Sequence, residues 1–183
     1  MADPLDYPVG FETARLRARR PRVEDAPAVF AAYASDPEVT RYLSWPHYTE
    51  VAPLTLFLSR CAESWTAKQG HLTYLLHAKD AGDALVGSIG MEREGGKVAF
   101  GYVLSRPYWG RGYTTEAMIH LSTWVLAQPG IFRVWAFCDA ANPGSARVME
   151  KAGLEREGLL RRWHVCPELG PEPRDCLVYA KVR

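Results

Sequence analysis

The chain has 183 residues, with 22 lysines and arginines against 21 aspartates and glutamates. The resulting +1 charge announces neither a nucleic acid nor an anionic membrane as partner. A composition of 48% apolar and 23% charged residues is that of an ordinary globular chain and excludes the disordered and fibrous classes. The length is that of one domain, expected over residues 1–183. No run approaches the ~20 consecutive apolar residues of a membrane span. The opening MADPLDYPVG lacks the basic-then-apolar pattern of a signal peptide, so the expected location is cytoplasmic. Cys61, Cys138, Cys166 and Cys176 form no CxxC pair, and His47, His71, His77, His120 and His164 are scattered. No metal site is expected, and the cysteines read as reduced, small apolar residues, with Cys138 inside a strand.

In chain order, Phe11 to Arg19 reads as a strand. Pro21 and the acidic Glu24-Asp25 open a helix running to about Ser35, where Asp36-Pro37 breaks it. A short helix through Val39 and Leu43 and a loop at Ser44-Trp45-Pro46 come next. Leu54, Phe57, Leu58, Cys61 and Trp65 fall at i, i+3, i+4, i+7 and i+11, the period of an amphipathic helix. Leu72–Ala78, Ala84–Glu92 and Val98–Leu104 form a three-strand antiparallel meander joined by tight turns. A helix through Ala117, Leu121, Trp124 and Val125 leads to Ile131–Cys138, apolar on both faces like a strand covered on both sides. A helix from about Ser145 to Ala152 stops at Gly153, and two strands, Leu159–His164 and Asp175–Val182, close the chain. Trp65, Trp124, Trp135 and Phe137 take core-like positions. The order predicts one mixed α/β sheet with helices on both faces.

The stretch from Val98 to Ala127 carries the strongest chemical signal. Gly110 and Gly112 let the backbone turn tightly and approach a ligand, and the helix behind them offers unpaired N–H groups and a positive dipole end. Arg111 adds a fixed charge, so the loop favours a pyrophosphate; taken alone it is equally a tight turn. It lacks the Gly-Lys-Ser/Thr of a Walker loop, which argues against a GTP or ATP enzyme, and it is not GxGxxG. Some thirty residues downstream, Asn142-Pro143-Gly144-Ser145 opens a second helix, where Asn142 or Ser145 equally serves as a simple cap.

Together, GYVLSRPYWGRGYTTEA and NPGSARVMEKAGL, with ETARLRARRPRVEDA before them and EGLLRR and RDCLVYAKVR after, resemble the GNAT family of N-acetyltransferases. The likeness is narrowest to the ribosomal-protein branch that acetylates N-terminal amines, and it covers almost the whole chain. It implies a mostly antiparallel sheet splayed between the fourth and fifth strands, Val98–Leu104 and Ile131–Cys138, with acetyl-CoA in the opening. Main-chain groups of Tyr102, Val103 and Leu104 would bind the pantetheine arm and the thioester carbonyl. Trp109, Gly110, Arg111, Gly112, Tyr113, Thr114 and Thr115 would form the pyrophosphate loop, and Asn142 and Ser145 would meet the pantetheine end. Fixed donors of this kind stabilise a developing oxyanion by ~3 kcal/mol each, and juxtaposing amine and thioester removes an entropic barrier.

Two departures stand out. The family pattern Gln/Arg-x-x-Gly-x-Gly/Ala here reads Trp109, Gly112 and Thr114, and the Thr114 hydroxyl becomes a candidate phosphate donor. The tyrosine that many members place seven residues after the asparagine is Met149, which donates no proton. Ser145 is the expected replacement as general acid. An α-amine with pKa near ~8 also needs deprotonation; Glu92 is the best-placed carboxylate by topology, with a solvated strand-end charge and water-mediated transfer as alternatives. Arg15–Arg22 holds five arginines, readable as a docking patch or as a solvated face. Trp45, His47 and Tyr48 are assigned to the acceptor cleft, with core packing of Trp45 the competing reading.

These residues predict direct acetyl transfer from acetyl-CoA to a primary amine, the class most suggested being a protein N-terminus. Small-molecule amines, such as antibiotics, polyamines or amino acids, and a non-catalytic acyl-CoA-binding module are the alternatives. No cysteine lies within Tyr102–Thr115 or Asn142–Gly153, which gives no support to a covalent acetyl-enzyme. The resemblance is compatible with a monomer or a homodimer.

Overall fold

The computed structural model describes residues 6–183; the first five, part of the N-terminal stretch read for a leader, lie outside the described residues. One eight-stranded sheet in the order β1-β2-β3-β4-β5-β6-β8-β7 organises the chain. The single N-terminal strand expected from the sequence is instead a hairpin, β1 (Gly10–Glu12) and β2 (Leu16–Arg19), registered Gly10↔Arg19 to Glu12↔Arg17. The Thr13 hydroxyl accepts the Leu16 N–H at 3.0 Å and the Thr13 N–H donates to the Leu16 carbonyl at 2.9 Å, so a threonine closes a turn with no Gly, Pro or Asn in it.

The first helix begins as a 3₁₀ turn at Val23–Asp25, runs through α1 (Ala26–Val29) and widens into a π-helical turn at Phe30–Ala34. Asp36 caps α2 (Pro37–Thr40), its carboxylate accepting the Glu38 N–H at 3.0 Å; this helix ends before Leu43, shorter than its apolar pattern implies. The amphipathic period appears as α3 (Ala52–Ala67), which buries Leu54, Leu58, Cys61 and Trp65. The meander is β3 (His71–Ala78), β4 (Ala84–Glu94) and β5 (Lys97–Leu104), each pair antiparallel. A crossover helix, α4 (Tyr113–Leu126), leads to β6 (Arg133–Asp139), the parallel neighbour of β5. Then come α5 (Pro143–Lys151), β7 (Glu155–His164) and β8 (Arg174–Val182).

Two apolar cores sandwich the sheet. Met118, Leu121 and Val125 of α4 and Met149 of α5 pack with Tyr74, Ile89, Val98 and Tyr179. On the other side α1 and α3 bury Val29, Leu54 and Leu58 against Leu75 and Val103. The N-terminal helices pack over the meander, α3 on β3, α1 on β4 and α2 on β5. Strand β6 therefore alternates: Val134, Ala136 and Cys138 are buried, whereas Trp135 and Phe137 are only half-buried, correcting the expectation of cover on both faces. Trp124 is likewise at the margin, tilted on Tyr7 at 5.4 Å, and Trp65 alone of the four aromatics is fully core, edge-on to Tyr74 at 4.9 Å.

Gly87 ties the sheet to the functional region. It pairs with Leu104, and a Cβ there would sit 2.2 Å from the Val103 carbonyl oxygen. Backbone cannot yield as a side-chain tip can, so Gly87→Ala should destabilise by about 1–3 kcal/mol and displace the end of β5. Calorimetric titration should show weaker acetyl-CoA binding in that variant, and unaltered stability with unaltered binding would refute the role of this close approach.

Candidate active site

The seam between β5 and β6 is paired only at Lys97↔Arg133, Val98↔Val134 and Ala99↔Trp135. Beyond Ala99 the strands part, and β5 stays bonded to β4 through Leu104 while β6 stays bonded to β8 through Asp139. The divergence opens a cleft of about 980 Å³, walled by Tyr102, Val103 and Leu104 on one side and Phe137 and Cys138 on the other.

At one end of this cleft the loop from Ser105 turns into α4. The Trp109 indole N–H donates to the Leu104 carbonyl at 2.6 Å, locking the loop onto the strand end and occupying that acceptor. Gly110 (φ 74°) and Gly112 (φ 81°) take left-handed conformations that a Cβ would strain. Gly112 is the N-cap and has no side chain to satisfy the helix's first N–H groups, so those of Tyr113, Thr114 and Thr115 open toward the cleft. A helix end with unpaired N–H groups of this kind is suited to an anion.

Arg111 does not line the cleft; its guanidinium lies 5.4 Å over the Tyr108 ring. The cation that lines the cleft at this loop is Arg15. It donates to the Arg111 carbonyl at 2.8 Å and to Glu116 Oε2 at 2.7 Å, and lies 4.9 Å from the centre of the Tyr113 ring. Glu116 Oε1 accepts from the Arg15 N–H at 2.8 Å and the Thr13 hydroxyl at 2.5 Å. The other alternating arginines also have carboxylates, Arg17 on Asp83 and Arg19 on Asp25, so this face is charge-balanced within the fold.

The opposite end is built by α5. Asn142 caps it, its side-chain oxygen accepting the Ser145 N–H at 3.1 Å. The Tyr102 phenol lies 2.7 Å from Ser145 Oγ, a contact across the seam between β5 and α5. Burial raises the Tyr102 pKa, keeping the phenol protonated, while Met149 is fully buried in the core and plays no part here. Cys138 also lines this end although it lies outside both motif stretches. Burial pushes its thiol up to about 11, so it is not a thiolate nucleophile near neutral pH.

Several expected residues lie elsewhere. Glu92 is exposed, paired with Ala99 at the closed end of the seam, and is not part of the cleft lining. Trp45 and Tyr48 stack at 5.4 Å and pack against the second core; the His47 N–H and ring both meet Glu168, at 2.7 Å. The residues that do wall this side are Glu38, Arg41, Tyr42, Leu43 and Ser44, just upstream. His164, which carries no motif, enters the cleft beside Phe137. Arg15, the Tyr102 hydroxyl, Cys138 and His164 thus escape a reading by motif, because each reaches the site through pairings distant in sequence, while Glu116 lies within the loop–helix motif but carries no signal of its pairing with Arg15.

Residues 15–155 match the acetyltransferase (GNAT) domain model, so the chain belongs to the GNAT family of acetyltransferases. It is therefore an acetyl-CoA-dependent N-acetyltransferase. An uncharacterized N-acetyltransferase of Bacillus licheniformis, p20, is 29% identical over 152 residues, covering 81% of this chain and 84% of that protein. The fold superposes on the microcin C7 self-immunity acetyltransferase MccE, solved with acetyl-CoA and AMP, with a TM-score of 0.85 at 17% identity over 97% of this chain and 98% of that one. It also matches RimL, a ribosomal L7/L12 alpha-N-protein acetyltransferase solved with coenzyme A, with a TM-score of 0.81 at 18% identity over 96% of each chain. Among the described residues no helix is long and apolar enough to cross a membrane, and no group of His, Cys, Asp or Glu could hold a metal ion.

Burial alone would raise the Glu116 pKa, but the bonds from Thr13 and Arg15 outweigh it and hold the carboxyl below 4.5. Its stabilising contribution is thus complete above the unfolded-state value and is lost as pH falls through the folded one. Glu116→Gln should lower stability by about 1–3 kcal/mol at neutral pH. Denaturant titrations should show this gap from the wild type closing below pH 4.5, and a gap independent of pH would contradict the assignment.

Proposed function

We propose that the protein transfers the acetyl group of acetyl-CoA to the N-terminal amine of a protein, by direct attack in a ternary complex. The observation that carries the chemistry is the Tyr102–Ser145 hydrogen bond at the mouth of the parted strands, opposite a helix end suited to phosphate. The bound thioester supplies the activated acetyl group. N–H groups of Tyr113, Thr114 and Thr115, with the Thr114 hydroxyl, hold the phosphates, and the Asn142 amide meets the pantetheine. Main-chain groups from Tyr102 to Leu104 orient the thioester and stabilise the oxyanion. The Tyr102 hydroxyl, which also donates to the Ser145 carbonyl at 3.1 Å, positions Ser145 Oγ at 2.7 Å, and the Ser145 hydroxyl is the group that protonates the departing sulfur. A Cys138 thiol held protonated favours direct attack over an acetyl-enzyme.

The acceptor reading rests on what lines the rest of the cleft. Both carboxylates there are already paired, Glu38 with Arg41 at 3.7 Å and Glu116 with Arg15 at 2.7 Å. A polycation such as a polyamine or aminoglycoside would find no free anion, whereas a wide cleft with Arg41, Arg147 and Lys151 at its walls accommodates a polypeptide end. RimL, with its protein N-terminal acceptor, shares the fold. A cytoplasmic location fits this role and the four free cysteines.

Peptides beginning with Ala or Ser, lysine side chains, polyamines and aminoglycosides offered side by side with acetyl-CoA should show acetylation of the peptide α-amine. Acetylation confined to a small amine would move the acceptor to that class. Ser145→Ala should lower kcat by about 10²-fold or more while leaving acetyl-CoA affinity within twofold, and Tyr102→Phe should lower it less. An undiminished kcat in Ser145→Ala would remove this hydroxyl from the mechanism.

A further inference from the structure

Strand β7 is an edge strand, and its pairing with β8 is broken close to the cleft. Leu160 faces Cys176 and His164 faces Arg174, so three residues, 161–163, stand opposite Asp175 alone. Arg162 takes a left-handed φ of 47°, uncommon for a residue with a Cβ, and its N–H is held by Asp175 Oδ1 at 2.8 Å. A bulge of this kind re-aims the side chains that follow it, and such bulges concentrate beside active sites. Here it throws Trp163 outward, 52% exposed, and turns His164 onto the Phe137 ring at 5.1 Å and 64°. The imidazole lines the same cleft as Ser145, Cys138 and Phe137.

Each of the other histidines is engaged elsewhere. His47 is tied to Glu168, His77 to the Asp83 carbonyl, His120 stacks on Phe11, and His71 lies under Gly90 on the sheet. Only His164 is among the cleft-lining residues, and neither of its ring nitrogens is hydrogen-bonded to a described residue. The two carboxylates of the cleft are spent on arginines, and Glu92 stands outside it.

We propose that His164 is the general base that deprotonates the attacking amine. The N–H bond of the acceptor ammonium breaks with its electron pair left on nitrogen, and the proton passes to the imidazole. The nitrogen lone pair then forms the C–N bond to the acetyl carbon as the C–S bond breaks. The sulfur leaves with the proton from Ser145, the remaining amine proton restores that hydroxyl, and the imidazolium returns its proton to solvent. Acid and base stand on different elements, α5 and β7.

The surroundings suit a base that is free at neutral pH. Burial lowers the His164 pKa below 6.5, with Asp139 opposing. That carboxylate is itself neutralised by Arg174, the residue opposite His164 on β8. The nearby thiols, Cys138 and Cys166, are both raised by burial and carry no charge, Glu168 downstream is bonded to His47, and Tyr42 faces from the other wall.

The test is His164→Gln, which keeps size and polarity without basicity, assayed with acetyl-CoA against both an Ala-initiated peptide and a simple alkylamine. Two acceptor types separate this proposal from the acceptor reading: inert peptides beside an active alkylamine would refute the latter alone. At pH 7 kcat/KM for the amine should fall about 10²-fold or more, with acetyl-CoA affinity and melting temperature unchanged. The deficit should shrink above pH 8 as free amine accumulates, and added imidazole should restore turnover to His164→Ala. An undiminished rate in His164→Gln, or a loss that neither alkaline pH nor imidazole repairs, would overturn the assignment. Independently of any acceptor, the His164 ring proton resonances in the acetyl-CoA complex should titrate below pH 6.5, and an imidazolium persisting above pH 7.5 would overturn it as well.

Discussion

The architecture turns on a seam that stops after three residue pairs. Each strand at the seam keeps a full antiparallel partner on its outer side, β4 for β5 and β8 for β6, so parting the two strands costs little ladder bonding. What it exposes is main chain on β5 with no neighbour to bond, in the middle of a sheet where unpaired backbone is costly unless a ligand or water satisfies it. A thioester with an amide-rich arm supplies such groups. The crossover helix α4 sits over this gap, so the open helix N-terminus and the free strand edge arise from one βαβ connection.

The loop before α4, proposed to meet phosphate, is held from three directions. Trp109 anchors it to the end of β5, Arg15 grips its carbonyl from the N-terminal hairpin, and Glu116 closes the ring from the first turn of α4. Glu116 also complements the positive end of its own helix. Arg15 and Glu116 neutralise each other, which leaves backbone N–H groups as the principal attraction for an anion. Backbone donors are fixed by the helix and lose no rotamer freedom on binding, unlike a mobile lysine.

Much of the fold is written locally. The period of α3, the meander turns and the two glycines before α4 each announce their element within a dozen residues, and the spacing from Gly112 to Asn142 locates both ends of the cleft. The parts that are not legible depend on distant pairings. The β1–β2 turn uses Thr13 in place of the usual turn residues, so the hairpin reads as one strand. The bulge at 161–163 contains no glycine, and its left-handed residue is an arginine held by Asp175, a signal that exists only once β7 and β8 have paired. Trp135 and Phe137 look like core because apolarity alone cannot tell a covered face from an open one. Trp45, His47 and Tyr48 lie outside the cleft lining because α2 ends at Thr40, and the cleft wall on that side is formed just upstream by Glu38, Val39 and residues 41–44.

The cleft wall at residues 38–44 is nonetheless coupled to the loop that carries Trp45 and His47. Glu168 accepts the His47 N–H and faces its ring and the Thr40 hydroxyl, and these bonds from His47 hold its carboxyl below the usual range. Glu168 follows His164 by four residues, so the segment that delivers the imidazole also braces the opposite wall against it. Asp139 does the same from below: its carboxylate accepts the Ala141 N–H at 2.8 Å, shaping the loop that presents Asn142, and pairs with Arg174 opposite His164. Two buried or half-buried carboxylates therefore set the spacing between β7, where the base is proposed, α5, where the acid is proposed, and the wall at residues 38–44. On the proposed function, phosphate binding would rest chiefly on backbone N–H groups, whereas the acceptor side would depend on a few side chains held by these two braces.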